Sequence, residues 1–233
     1  MVKWYQVGVL SLTILVASTL TPDITGKSQA ALPKQGKTIT LERLLKRNDP
    51  VVYFSIPENF FYKLSIIGDP IATQKQCVAY MYKTNPFPLI ATSIENLVAL
   101  YYREGLKEGI RPDLALAQAL LETGHFSYGG DVYPHQNNYA GIGATGNKAR
   151  GAFFPTPEIG VRSQIQHLLG YASKRRPYEK IVDPRYELLA KIPSKHGKIT
   201  TWMGLGGHWA VPGVNYGVNI FKIHGRILNM PAK

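Results

Sequence analysis

The sequence predicts a mainly helical α+β domain in which a glycine-rich loop or short β lobe sits beside one carboxylate-bearing helix. Three observations predict it. Apolar residues recur at helical spacing in several stretches from residue 71 onward, with cap signals at their ends. Residues 124 to 156 break that pattern with seven glycines, Gly124, Gly129, Gly130, Gly141, Gly143, Gly146 and Gly151, set among Tyr128, Tyr133, Tyr139, Phe153 and Phe154. Glu122 stands where the two regimes meet.

Along the chain, residues 31–70 read as an extension, with a β-like run from Val51 to Ile56 and a turn signal at Gly68, Asp69 and Pro70. The main domain is placed at residues 71–230. Thr92 followed by Glu95 reads as a capping box, and Ile94, Leu97, Val98 and Tyr101 form one helical face until Gly109 ends it. The next helix opens on Pro112 and Asp113 and ends near Gly124. On it Ala115, Gln118 and Glu122 share a face that is expected to border a cleft, while Leu114, Ala117, Leu120 and Leu121 take another. Thr156 and Pro157 open a further helix carrying Val161, Ile165, Leu168, Leu169 and Ala172, and a last one carries Tyr216, Ile220, Ile223 and Ile227.

The formal net charge is +12. Lys3, an apolar run from Val7 to Leu20, and Ser28-Gln29-Ala30 before Ala31 read as a secretory signal over residues 1–30. Its apolar core is shorter than the roughly 20 residues of a comfortable membrane span, so cleavage is expected, with a membrane anchor as the outcome if it is left in place. Removing Lys3, Lys27 and Asp23 leaves 25 cations and 14 anions, or +11. No Asp or Glu follows Glu187, whereas Lys191, Lys195, Lys198, Lys222, Arg226 and Lys233 do. A surface this basic concentrates polyanions. Cys77 is alone, so no internal disulfide can form, and a small buried residue is the expected role.

Glu122 is the candidate general acid. It closes an apolar run, Leu114 to Leu121, at the negative end of a helix dipole, and both surroundings disfavour its ionised form. A carboxyl that keeps its proton near neutral pH is what protonation of a leaving group requires. Aromatic side chains in the neighbouring lobe offer flat faces for stacking on sugar rings. Gln118, Tyr128 and Trp209 are expected to touch substrate, on the grounds of helical face and aromatic character.

Several runs together resemble a known family. These are Ala117 to Gly124; Asn137 to Gly143; Phe154 to Thr156 with Gly160, Val161, Gln164, Ile165, His167 and Leu168; and Trp209 to Gly213 with Tyr216, Gly217 and Ile220. Their order and spacing are similar to those of the glucosaminidase domain of glycoside hydrolase family 73. The resemblance implies a lysozyme-like fold and cleavage of the β-1,4 bond from N-acetylglucosamine to N-acetylmuramic acid in peptidoglycan. It implies Glu122 as the catalytic acid, Tyr216 as an active-site tyrosine, and Asn138, Tyr139 and Gly141 in the loop that shapes the sugar groove. No cofactor and no metal are implied. The expected partners are peptidoglycan strands, with anionic wall polymers beside them and no nucleic acid, and the chain is expected to act as a secreted, wall-associated monomer.

Glycoside hydrolysis usually takes a second carboxylate, and here the sequence is sparse. Asp131 is the acid within the lobe, Glu158 suits a helix first turn, and Asp183 or Glu187 could be brought in from later segments. The substrate's own 2-acetamido group is a further route. Three rivals remain open: a metal-dependent peptidoglycan amidase using Glu122, His125, Asp131 and His135; a cysteine peptidase built on Cys77; and a non-catalytic glycan-binding module.

Overall fold

The computed structural model describes residues 63–144 and 150–232. The expected signal at 1–30, the β-like run Val51 to Ile56, Gly146 and most of the 31–70 extension lie outside the described residues. Among the described residues there are six α-helices: α1 (Gln74–Thr84), α2 (Ile94–Glu108), α3 (Pro112–Glu122), α4 (Pro157–Ala172), α5 (Tyr186–Ala190) and α6 (Tyr216–Leu228). Two 3₁₀ turns, Pro134–Gln136 and Met203–Leu205, complete the regular structure among the described residues. The described residues of the glycine-rich stretch 124–156 form turns, bends and one of these 3₁₀ turns with no strand, so the expected loop or short β lobe is not confirmed there. Among the described residues, pairing between extended segments is limited to isolated bridges: Ser65 with Thr201, Ile67 with Ile110, and Gly206 with Ala210.

α3 is the central helix. Its residues Leu114, Ala115, Leu116, Ala117, Gln118 and Ala119 are all fully buried, because α2 covers one side of it and α6 another, while α4 packs on α2. The face shared by Ala115, Gln118 and Glu122, expected from spacing to border a cleft, therefore does not do so along its length. Only Glu122 emerges, and the polar atoms behind it are paired inside the core.

The helix ends follow the local chemistry. α2 starts one residue later than the Thr92 capping box suggested: Ser93 is the N-cap and its side chain accepts from the Asn96 amide. Thr92 Oγ1 instead accepts from the Asn96 side chain at 2.7 Å, and Glu95 accepts from Tyr82 Oη at 2.7 Å. Gly109 closes α2 in the left-handed conformation, φ 66°. Pro112 occupies the first turn of α3, where its missing donor costs nothing. Thr156 caps α4 by accepting from the Ile159 amide.

Residues 64–70 pack with the helices that follow. Leu64 and Ile66 are core residues. Their backbones are tied across the chain by Ile66 N–H to Thr200 O at 2.9 Å, Trp202 N–H to Leu64 O at 3.1 Å and Arg111 N–H to Ile66 O at 3.1 Å. The tie continues through Asp113, whose Oδ2 accepts from the Ile71 and Ala72 amides at 2.8 Å each and from His224 Nε2 at 2.7 Å. One buried carboxylate thus joins the entering chain, α3 and α6. Cys77 is buried, as expected, and burial pushes its thiol up to about 12.

Candidate active site

Immediately after Glu122 the chain turns left-handed. Gly124, His125 and Phe126 have φ of 56°, 57° and 58°, and Tyr128 has 60°. Such angles cost a non-glycine residue about 1–2 kcal/mol, and specific bonds offset that. Thr123 Oγ1 accepts from the Phe126 amide at 2.9 Å, Thr123 O from the Tyr128 amide at 2.8 Å, and Leu120 O from the His125 amide at 2.7 Å. Phe126 plugs the turn into the core, fully buried and edge-on to Tyr139 at 5.8 Å. The result is a sharp corner that frees the groove in front of Glu122 and brings Tyr128 round to its wall.

Glu122 lies open to solvent on the groove side, and protein crowds it elsewhere. That crowding raises its pKa, while hydrogen bonds from Tyr216 and then Trp209 pull the other way. The carboxyl thus sits above its ordinary range, and the Tyr216 hydroxyl, which donates to Oε1, fixes its orientation. Burial lifts the Tyr216 phenol well above its usual value, and the neighbouring Glu122 carboxylate adds to this, so the hydroxyl stays a donor.

Behind the pair runs a chain of hydrogen bonds with one direction. Tyr101 Oη donates to Gln164 Oε1 at 2.7 Å; Gln164 Nε2 donates to Gln118 Oε1 at 2.9 Å and to Ala115 O at 2.9 Å; Gln118 Nε2 donates to Tyr216 Oη at 2.8 Å; and Tyr216 Oη donates to Glu122 Oε1. Gln118 and Gln164 are fully buried, so this path crosses the core from α2 through α4 and α3 to α6. Each acceptor is occupied, which leaves Tyr216 a single way to point its hydrogen.

In front of Glu122 the groove has two arms. One, about 320 Å³, is lined by Glu122, Tyr128, Gly130, Asp131, Val132 and Gly141 among others. The other, about 200 Å³, runs past Trp209, His167 and Tyr171. Gly141 and Ala144 line both. Gly141, at φ 65°, passes so near the acid that a Cβ there would stand 3.6 Å from Glu122 Oε2. The loop that carries it is held by Asn138, whose Oδ1 accepts from the Ile142 amide at 2.9 Å while its Nδ2 donates to the Ile142 and Ala152 carbonyls at 2.9 and 3.1 Å.

The residues expected at the site divide accordingly. Glu122, Tyr128, Asp131, Gly141 and Trp209 line the groove, and Tyr216 reaches Glu122 from beneath. Gln118, expected to touch sugar, is fully buried and its amide is taken up by Tyr216 and Gln164, so it supports the acid from behind. Asn138 and Tyr139 are also buried; they build the loop and do not present their side chains to a ligand. Phe153 is exposed, while Phe154 is buried in a small separate cluster with Ala140 and Ile142, against Ile159 and Trp209.

The other acids have partners. Glu158 pairs with Arg162 at 2.7 Å and Arg103 at 3.0 Å, Glu187 with Arg176, and Asp183 is buried against His167 Nδ1 at 2.7 Å. Asp131 is therefore the carboxylate that shares the lining of Glu122's arm. Of the residues in the expected metal set, His125 Nε2 meets Tyr80 Oη at 3.1 Å and His135 stacks on Tyr133; among the described residues no group of three or more His, Cys, Asp or Glu converges on a common point.

The sequence places Gln164, Tyr101, His167 and Asp183 in motifs, on a helix face or among candidate acids, but gives Gln164 and Tyr101 no part behind the carboxyl and does not pair His167 with Asp183. A signal for them exists, because Gln164 falls on the apolar face of α4, between Val161 and Leu168 in helical spacing. A polar residue at a core position announces a buried partner.

An open groove with a carboxyl of raised pKa on its floor and aromatic residues on its walls offers surfaces of the kind that hold sugar rings. Residues 98–209 match the family model of the glucosaminidase domain, described as mannosyl-glycoprotein endo-β-N-acetylglucosaminidase, and the chain carries a domain of this family, glycoside hydrolase family 73. The chain is similar to an uncharacterized protein of Borreliella burgdorferi, 38% identical over 133 residues that cover 57% of this chain and 62% of that protein. It thus spans less than two thirds of that curated relative. No solved structure matches it significantly.

Proposed function

We propose that this chain is an exported peptidoglycan hydrolase that cleaves the β-1,4 bond between N-acetylglucosamine and N-acetylmuramic acid. The observation that carries the reading is the Glu122 carboxyl, raised in pKa by crowding, held by Tyr216 and lining an open groove. Family membership supports a glycan as substrate. The basic balance of the chain suits a wall rich in anionic groups, and the leader-like residues 1–30 support export.

In this mechanism Glu122 gives its proton to the glycosidic oxygen, which leaves as the hydroxyl of the muramic acid unit. The anomeric carbon of N-acetylglucosamine gains positive charge, and water supplies its new oxygen. Asp131, on the wall of the same arm, is assigned the second carboxylate's role at that carbon. Loss of a proton from the water restores Glu122 over the full cycle. Tyr216 stays protonated throughout and holds the Glu122 carboxylate once it forms.

The test is digestion of purified peptidoglycan by the full chain, with soluble products identified by mass spectrometry after borohydride reduction. Reduced N-acetylglucosamine termini are expected. Release of stem peptides from intact strands would replace this reading with an amidase, and binding without any product would replace it with a glycan-binding module.

A further inference from the structure

The two arms of the groove differ in charge. The arm beyond Trp209 has Leu188 and Ile192 on its apolar side and carries Arg185, Lys195, His167 and His208 around them. Among the described residues neither Arg185 nor Lys195 has an acidic partner, whereas Arg103, Lys107, Arg162, Arg175 and Arg176 each do. The acids that could have neutralised the pocket are taken. Glu187 turns to Arg176, and the buried Asp183 accepts from His167 Nδ1 and, at 2.8 Å, from the Arg185 backbone amide.

That bond also decides what His167 offers. A carboxylate only accepts, so Nδ1 carries the hydrogen on Asp183 and Nε2 is the ring's remaining polar atom. The ring is set edge-on to Trp209 at 4.9 Å and to Tyr171 at 5.3 Å. Gly141 and Ala144 line both arms and join this one to the arm at Glu122. A ligand spanning the bond at Glu122 therefore continues directly into this arm.

A neutral sugar has no use for two unpaired cations, while a carboxylate attached through a short, partly apolar branch fits both the cations and the aliphatic side. We propose that this arm is a subsite for the acidic branch on the sugar next to the scissile bond, with Arg185 and Lys195 as its carboxylate-binding residues. The proposal rests on the peptidoglycan reading above. Two sources supply the chemistry: carboxylates of the stem peptide, or the lactyl carboxylate of muramic acid once the peptide is removed.

The test measures kcat/KM of wild type and of the Arg185→Gln/Lys195→Gln double variant on three substrates: peptide-bearing strands, strands stripped of peptide by an amidase, and a neutral N-acetylglucosamine oligomer. Both side chains are at the surface or partly so, so an unchanged Tm is expected, and a charge-keeping Arg185→Lys/Lys195→Arg variant serves as rescue. The double variant is expected to lose about tenfold or more on acidic strands, through KM, and nothing on the neutral oligomer. Loss confined to peptide-bearing strands assigns the peptide carboxylates, and loss on stripped strands as well assigns the lactyl group. Equal loss on all three substrates, or none on any, overturns the subsite. Binding of a soluble disaccharide-peptide, compared with its carboxyl-amidated form by calorimetry, gives a second readout that needs no turnover. A wild type inactive on every strand sinks the hydrolase reading, and equal affinity of both proteins for both forms sinks the subsite by itself.

Discussion

Tyr216 donates its hydroxyl hydrogen to Glu122 Oε1 and has no freedom to do otherwise, because Gln118 Nε2 already occupies its acceptor side at 2.8 Å. Two opposing demands meet at this contact. In its proposed role as general acid Glu122 needs a raised pKa, which crowding supplies, and a stabilised carboxylate once the proton has left, which Tyr216 supplies.

Tyr216→Phe separates the two. Without the phenol the ionised form of Glu122 loses its strongest donor, so its pKa rises further. The acid then stays protonated to higher pH, and the alkaline limb of the kcat/KM profile is expected to move upward. The rate at the optimum falls about tenfold to a hundredfold, as loss of a hydrogen bond to a charged group implies. A pH–rate profile of the variant beside wild type checks both, and a limb that moves down would contradict the role given to Tyr216.

Glu122→Gln removes the proton donor while keeping shape. Turnover is expected to drop by about 10²–10⁴-fold or more, with binding of a glycan fragment largely kept. Asp131→Asn is expected to lower turnover and to gain rate with added azide, and the anomeric configuration of the glycosyl azide reports which face was attacked. A full rate in Asp131→Asn transfers its role to the 2-acetamido group of the substrate.

How far the sequence could be read is visible in Gln118 and Glu122, which share a helical face four residues apart. Periodicity placed both on one side of α3 and marked that side as polar, and this much is right. It could not tell a polar face that meets water from one that meets Gln164 and Tyr216, because both satisfy the same spacing. The helix ends at Gly109, Pro112 and Thr156 were legible since their chemistry is local. Ser93 displaced Thr92 as a cap because either hydroxyl can serve, and contacts of Thr92 with Asn96 and of Glu95 with Tyr82 decided between them. The arm formed by Arg185, Lys195, His167 and Trp209 was not legible, because it draws on three separate segments of the chain that only the fold brings together.

Gly160 tests the seat of the groove loop. A Cβ at this position, in the first turns of α4, would lie 1.9 Å from the Asn137 carbonyl oxygen and 3.3 Å from the Tyr139 ring. The obstacle is backbone, which cannot swing away as a side chain would. Gly160→Ala is expected to cost about 3 kcal/mol, a fall in Tm of roughly 6–12 °C, and to displace the Asn138–Gly141 segment from Glu122. Thermal melting and kcat together check it, and a variant with wild-type Tm would show that the loop does not press on α4.

Asp113 sets the acid limit of stability. Burial alone would raise its pKa, but His224, by hydrogen bond and charge, and the Ala72 and Ile71 amides outweigh that and hold it below the ordinary aspartate range. Because its folded value is depressed, its contribution is fully present above the unfolded pKa of about 3.9 and is lost as pH falls through the lower, folded value. Asp113→Ala leaves His224 and two backbone amides buried without their acceptor, at a cost of about 3–5 kcal/mol. Urea unfolding at pH 7 is expected to show that loss, and between pH 5 and 3 the variant should lose less further stability than wild type does. Parallel pH dependences would mean that Asp113 is not the group that titrates.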